Sequence, residues 1–226
     1  MAHLPYKAML FDLDGTLIDT VSDIHAAVNE ALVELGLPTL SAQQVRDRVG
    51  HGTQLLMLHA YAELKGVTPK SVEESGELTR IMAIYARCYL ARCGQTSVLY
   101  PHVRQALEAL RAQGVKLAVV TNKETRYTLP ILEAHSLPHL FDRVVCGDTF
   151  PIRKPDPAGV NACMAEFGTD VTTTLFVGDS SVDVATARHA GVAVWALPYG
   201  YNMGQPIAAS QPDRLIADFS VFLQAA

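Results

Sequence analysis

Lys7-Ala8-Met9-Leu10-Phe11-Asp12-Leu13-Asp14-Gly15-Thr16 is the stretch that decides the fold. Its apolar run is short and unbroken and stops at an acidic cluster. Such a run reads as a strand buried on both faces, as in a parallel sheet, with its carboxyl end at Asp12. Similar runs recur at Val115-Lys116-Leu117-Ala118-Val119-Val120, Arg143-Val144-Val145-Cys146, Thr174-Leu175-Phe176-Val177 and Val192-Ala193-Val194-Trp195. Helical patterns lie between them: Val103, Leu107 and Leu110 share one face, and Gly114 follows as a C-cap. Strands alternating with helices predict a right-handed parallel α/β sheet.

One segment breaks the alternation. From about Leu17 to Thr96 no strand pattern stands out, whereas Ile24, Val28, Ala31, Leu32 and Leu35 form one helical stripe, and Leu55, Leu56, Ile81, Ile84 and Tyr85 continue similar patterns. An all-helical block inserted after the first strand is expected to form a second, smaller domain. Residues 17–96 are assigned to it, and residues 1–16 and 97–226 to the α/β core. Open parallel sheets bind ligands beyond the carboxyl ends of their strands, so an insert there is positioned as a lid.

Composition narrows the function classes. The chain has 226 residues, 49% of them hydrophobic and 18% charged, which suits a folded globular protein. With a net charge of -5 and no run of Lys or Arg, it offers no basic face for a nucleic-acid backbone. Residues Met1 to Lys7 lack the pattern of a secretory signal, and no apolar run approaches bilayer length, so a cytoplasmic protein without a membrane partner is expected. Cys88, Cys93, Cys146 and Cys163 are scattered without a C-x-x-C spacing and read as buried free thiols. Nothing in the sequence speaks to oligomeric state.

The polar residues at the strand ends carry the chemistry. Asp12 and Asp14 lie two residues apart where a buried strand runs out, so both can point into one crevice, and Gly15 permits the turn that follows. Alone, D-x-D-G reads equally as an Asx turn or a calcium-loop fragment. The preceding strand argues against a calcium loop, as does Asp23 where an EF-hand would close with Glu. Thr121-Asn122, Lys154-Pro155 and Gly178-Asp179-Ser180-Ser181-Val182-Asp183 also follow strands or open helices. Each by itself is an ordinary helix cap, solvated loop or turn. Their convergence on one sheet edge changes that reading.

In order and context, D-L-D-G-T, T-N, K-P and G-D-S-S-V-D resemble the four motifs of the haloacid dehalogenase superfamily, and the insert resembles the cap of the subfamily that includes phosphoglycolate phosphatase and β-phosphoglucomutase. The resemblance implies a Rossmann-like core with an inserted all-helical cap and a magnesium-dependent phosphatase. Phosphoryl transfer needs a nucleophile, a counter-charge and a proton for the leaving alcohol. By resemblance, Asp12 attacks phosphorus to form an aspartyl-phosphate, and Asp14 protonates the leaving oxygen and then deprotonates the hydrolytic water. Magnesium is then held by the Asp12 side chain, the Asp14 carbonyl and Asp179, with Asp183 behind them. Thr121 and the amide of Asn122 hold phosphate oxygens, and Lys154 neutralises the transferred group.

In the cap, Val49-Gly50-His51-Gly52-Thr53 resembles the specificity loop of phosphoglycolate phosphatase-like enzymes, with Gly50, His51 and Gly52 as candidate substrate contacts, and reads equally as a helix-helix turn. Thr121-Asn122-Lys123 matches the form usual in those enzymes, although Glu124 stands where many carry Pro. The expected substrate is a small phosphorylated metabolite, foremost 2-phosphoglycolate, with a sugar-phosphate or amino-sugar-phosphate phosphatase and a β-phosphoglucomutase-like mutase as alternatives. Dehalogenases lack the second Asp of the first motif. No Lys lies between Ala31 and Ala62, where a phosphonate-cleaving relative would carry its imine-forming residue. A phospho-accepting receiver module is half this size and lacks an acid two residues beyond its acceptor.

Overall fold

A computed structural model describes residues 5–50 and 52–223. The chain opens with β1 (Ala8–Phe11) and a short β2 (Ile18–Asp19). Five helices follow: α1 (Val21–Glu34), α2 (Ala42–Arg46), α3 (Thr53–Lys65), α4 (Pro69–Ser75) and α5 (Glu77–Leu90). A second short strand, β3 (Val98–Leu99), precedes the alternating part: α6 (Val103–Ala112), β4 (Lys116–Val120), α7 (Thr125–Ala134), β5 (Arg143–Val145), α8 (Ala158–Phe167), β6 (Thr174–Gly178), α9 (Ser181–Ala190) and β7 (Ala193–Ala196). β8 (Arg214–Leu215) and α10 (Ser220–Leu223) close it.

The six-stranded sheet has the order β5-β4-β1-β6-β7-β8, and its pairs are parallel. β1 is central, flanked by β4 and β6, and the strand order runs outward in opposite directions from it. That reversal opens a crevice beyond the carboxyl ends of β1, β4 and β6, where open α/β sheets take their ligands. The Rossmann-like α/β fold expected from the sequence is therefore the fold observed.

β1 is wholly buried because helices cover both faces of the sheet. With a side-chain period of two, Met9 and Phe11 join a core with Leu107 and Leu110 of α6 and Phe219 and Phe222 near the carboxyl end. Leu10 points the other way, into a cluster with Val160 and Cys163 of α8 and Val184 and Ala187 of α9. α6 buries Val103, Ala106, Leu107 and Leu110, a stripe at helical spacing. Beyond β1 the chain leaves and returns through an antiparallel pair, Ile18 opposite Leu99 and Asp19 opposite Val98. Between these strands α1 packs on α5 and α2, and α3 on α4 and α5.

β2, β3 and β8 are strands absent from the sequence reading. Each has two residues, too few for any hydrophobic period, and both residues of β8 are exposed. None of the described helices is long and apolar enough to cross a membrane.

Candidate active site

The crevice gathers acidic residues from the ends of β1 and β6 and polar ones from the end of β4. Asp12 follows β1, its backbone N–H bonded to Val177 O of β6 at 3.0 Å. Asp179 follows β6 and accepts the Thr16 hydroxyl on Oδ1 and the Tyr201 N–H on Oδ2, each at 2.5 Å. The fit around it requires glycine: a Cβ on Gly15, where φ is +86°, would lie 2.4 Å from Asp179 Oδ2, and one on Gly200 2.1 Å from it.

Asp183 sits one turn into α9. Its Oδ2 accepts the N–H groups of Asp179 and Ser180 at 3.1 and 3.0 Å, while the Ser180 hydroxyl receives the Asp183 N–H, a reciprocal capping box. The other oxygen, Oδ1, takes the Lys154 ammonium at 2.6 Å. Lys154 Nζ also lies 2.9 Å from Asp12 Oδ1. That second contact is an ion pair without hydrogen-bond direction, so Asp12 Oδ1 is buried without a directed donor.

The balance of charge in this cluster is negative. Burial, and then repulsion from Asp183 and Asp14, outweigh the attraction of Lys154 and push Asp12 up to about 6. Burial and the carboxylates of Asp183 and Asp12 drive Asp179 well above the ordinary carboxyl range. Burial opposes the charged form of Lys154, but Asp12 and Asp183 prevail and hold it above its ordinary value. One carboxylate oxygen from each of Asp12, Asp179 and Asp183 falls within 4.8 Å of the others. An all-oxygen donor set, an undirected Asp12 oxygen and carboxyls reluctant to ionise fit a hard divalent cation. Asp183 is the most fully engaged of the three, which suits a supporting position behind Asp12 and Asp179.

Asp14 faces the other side of the crevice. The Thr20 hydroxyl donates to its Oδ1 at 2.5 Å, and the Lys123 ammonium lies 2.9 Å from its Oδ2. Thr121 is buried after β4, and its hydroxyl accepts the Lys123 N–H at 3.2 Å. The Asn122 side chain braces two loops. Its Oδ1 accepts the Lys154 N–H at 2.9 Å, and its Nδ2 donates to Lys154 O at 3.2 Å and to Gly50 O at 3.4 Å. Asp12, Asp14, Thr121, Asn122, Gly50 and Gly52 thus line one cavity of about 30 Å³, room for only a few waters. The expectation for His51 falls outside the described residues.

Sequence reasoning gave no role to Lys123, Thr20, Tyr89, Tyr201 or Arg153. Lys123 is 2% exposed and donates to the Tyr89 hydroxyl of α5 at 2.7 Å as well as pairing with Asp14. Glu124, noted only as a departure from Pro, is buried and accepts the Thr53 hydroxyl of α3 at 2.9 Å, with Arg153 3.4 Å away. The available signal was position: both follow Asn122 directly in a loop already marked as functional.

Comparison with known proteins agrees with this geometry. A phosphoglycolate phosphatase from Vibrio parahaemolyticus is 38% identical over 99% of this chain and 97% of its own length. One from Pseudomonas syringae pv. tomato is 42% identical over 94% of this chain and 76% of its own. Among solved structures, that of a predicted phosphoglycolate phosphatase from Haemophilus somnus superposes with a TM-score of 0.89 at 36% identity, covering 98% of both chains. The family model of haloacid dehalogenase-like hydrolases matches residues 9–197, from within β1 to just past β7, and so takes in all four strand-end motifs. With that match and a cluster of Asp12, Asp179, Asp183 and Lys154 at the switch point of the sheet, the chain belongs to the haloacid dehalogenase-like hydrolases.

Proposed function

We propose that this hydrolase is a magnesium-dependent phosphatase that removes phosphate from 2-phosphoglycolate through an aspartyl-phosphate on Asp12. The observation that carries the chemistry is the convergence of Asp12, Asp14, Thr121 and Asn122 on one cavity with Lys154 against Asp12. The substrate reading is supported by relatives named phosphoglycolate phosphatase, one of which matches 99% of this chain.

Asp12 is the nucleophile. Its oxygen bonds to phosphorus as the ester oxygen leaves, and Asp14 gives that oxygen its proton. Asp14 then takes a proton from the water that attacks phosphorus, which frees Asp12 and releases inorganic phosphate. Thr20 and Lys123 fix both oxygens of Asp14 for the two proton transfers. Lys154, the Thr121 hydroxyl and the Asn122 amide meet the phosphoryl oxygens, with no cost of reorganisation at the moment of reaction. The side chains of Asp12 and Asp179 and the carbonyl of Asp14 hold magnesium, supported by Asp183. When bound, the ion neutralises charge so that an anionic carboxylate and an anionic phosphate can meet.

Residues 17–96 serve as the cap over a core of residues 1–16 and 97–226, and Gly50 to Gly52 is its specificity loop. Gly50 and Gly52 line the same cavity as Asp12 and Asp14, which supports that role. The free thiols of Cys88, Cys93, Cys146 and Cys163 suit a cytoplasmic enzyme. The test is phosphate release with magnesium over a panel of small phosphoesters. The reading expects 2-phosphoglycolate to have the highest kcat/KM, and a clear preference for a hexose or amino-sugar phosphate refutes the substrate while leaving the phosphatase core intact.

A further inference from the structure

We infer that Lys123 and Tyr85 form a subsite for the carboxylate of the substrate, so that the enzyme selects a short phosphorylated acid by its second negative charge; this rests on the substrate reading above. Among the described residues lining the cavity, Lys123 carries the one positive charge. Its ammonium has three N–H donors, of which one is given to Tyr89 Oη at 2.7 Å, while Asp14 Oδ2 lies 2.9 Å away as an ion pair. That leaves N–H capacity for an acceptor in the cavity. At 2% exposure the charge is poorly screened by water, so it acts strongly on a nearby anion.

Tyr85 supplies an independent observation. It lines the same cavity from α5, it is fully buried, and its hydroxyl has no hydrogen-bond partner. A buried hydroxyl left unpaired is destabilising, and a ligand that accepts its proton relieves that state. Ile24, Val49 and Leu56 give the lining an apolar side, and the Thr53 hydroxyl is already bonded to Glu124, so a neutral sugar finds few hydrogen bonds there.

Reach also fits. An ester oxygen taking a proton from Asp14 lies about 3 Å from it, and in a two-carbon acid the carboxylate begins two covalent bonds further on. Lys123 stands 2.9 Å from Asp14, so the carboxylate of a leaving group seated on Asp14 is within reach of the ammonium. A hexose phosphate would put neutral hydroxyls there instead.

The experiment compares kcat/KM for 2-phosphoglycolate and for ethyl phosphate, which has the same chain length without the carboxylate, in wild type, Lys123→Met and Tyr85→Phe, with magnesium present. Lys123 also holds Asp14, so Lys123→Met slows both substrates, and the ratio between them is the readout. We expect the preference for 2-phosphoglycolate to fall at least about tenfold in each variant, because a site built to hydrogen-bond a group loses its discrimination when the donor goes. A ratio within about threefold of wild type in either folded variant overturns the subsite. Tyr85→Phe removes a single oxygen and decides the matter if Lys123→Met does not fold. A wild-type enzyme with no preference for 2-phosphoglycolate overturns the substrate reading itself, whereas a preference retained by both variants overturns the subsite alone.

Discussion

Asp12→Asn should abolish turnover and yet make the metal-free protein more stable. Burial, with help from Asp183 and Asp14, holds the Asp12 carboxyl at about 6 against an ordinary 3.8. The folded state therefore keeps a proton that the unfolded chain has already released, and stability falls as pH rises through the window from about 4 to 6. Above that window the full penalty applies, on the order of 3 kcal/mol for a displacement of this size. The shift already includes the attraction of Lys154, which keeps Asp183 at 2.6 Å, so the neutral amide escapes most of this penalty. A net gain on the order of 1–3 kcal/mol is expected, and for a chain of this length that is roughly 2–12 °C in the thermal midpoint. The assay is thermal unfolding of both proteins in excess chelator at about pH 7.5 and about pH 4.5, with the gap narrowing at the lower pH. Adding magnesium should stabilise the wild type more than the variant, because a ligand that binds only the folded state shifts the midpoint by its affinity. A variant that melts at or below the wild type in chelator near neutral pH, or a gap indifferent to pH, refutes the account of Asp12 as a carboxylate strained by burial among its neighbours.

Three further outcomes follow from the geometry. Lys154→Ala should lower kcat/KM at least about a hundredfold, since the variant lacks a buried cation at the transferred group, and a near-normal rate removes Lys154 from the reaction. Calcium should inhibit in competition with magnesium, because a larger ion that takes more oxygens can engage both oxygens of Asp12 and spoil its line of attack; undiminished rates with calcium in excess would contradict this. Glu124→Ala should lower the thermal midpoint by roughly 2–10 °C, because the variant leaves the Thr53 hydroxyl and the Arg153 guanidinium without their buried acceptor, and an unchanged midpoint means that this contact contributes nothing to stability.

The parts of this structure that were readable in sequence are those fixed by local pattern. β1 announces itself because four consecutive residues are buried on both faces, which leaves an apolar run with no polar interruption before Asp12. The strand-end motifs were readable because their residue types and spacing are those of the family whose model spans them. Lys123 was not, because a lysine one residue before a helix N-cap is ordinarily solvated, and its burial is created by Tyr89, 34 residues earlier, and by Asp14 across the sheet edge. Thr20 misleads in a similar way. It occupies the N-cap of α1, where a hydroxyl ordinarily accepts a backbone N–H, but here the hydroxyl donates to Asp14 instead. The short β2 and β3 exist only because the two ends of the helical insert are brought side by side, a fact no window of sequence contains.

The loop from Thr121 to Glu124 ties these observations together, because its successive residues serve different partners. Thr121 and Asn122 belong to the strand ends, where Asn122 binds the backbone of Lys154 on one side and of Gly50 on the other. Lys123 joins Asp14 to Tyr89 of α5, and Glu124 joins Thr53 of α3 to Arg153. Any movement of α3 and α5 away from the sheet must therefore break Thr53–Glu124 and Tyr89–Lys123 together, at the loop that also carries Thr121 and Asn122. On the proposed subsite, a substrate that gives Lys123 and Tyr85 an anionic partner adds interactions that exist only while α5 lies against the core, so its binding favours the arrangement in which Asp14 is held at both oxygens. A phosphate ester without that second charge leaves the same contacts unmade, and it gains access to the nucleophile without the same support for closure. On the proposed function, selectivity and the ordering of Asp14 thus depend on this short segment as well as on residues 17–96.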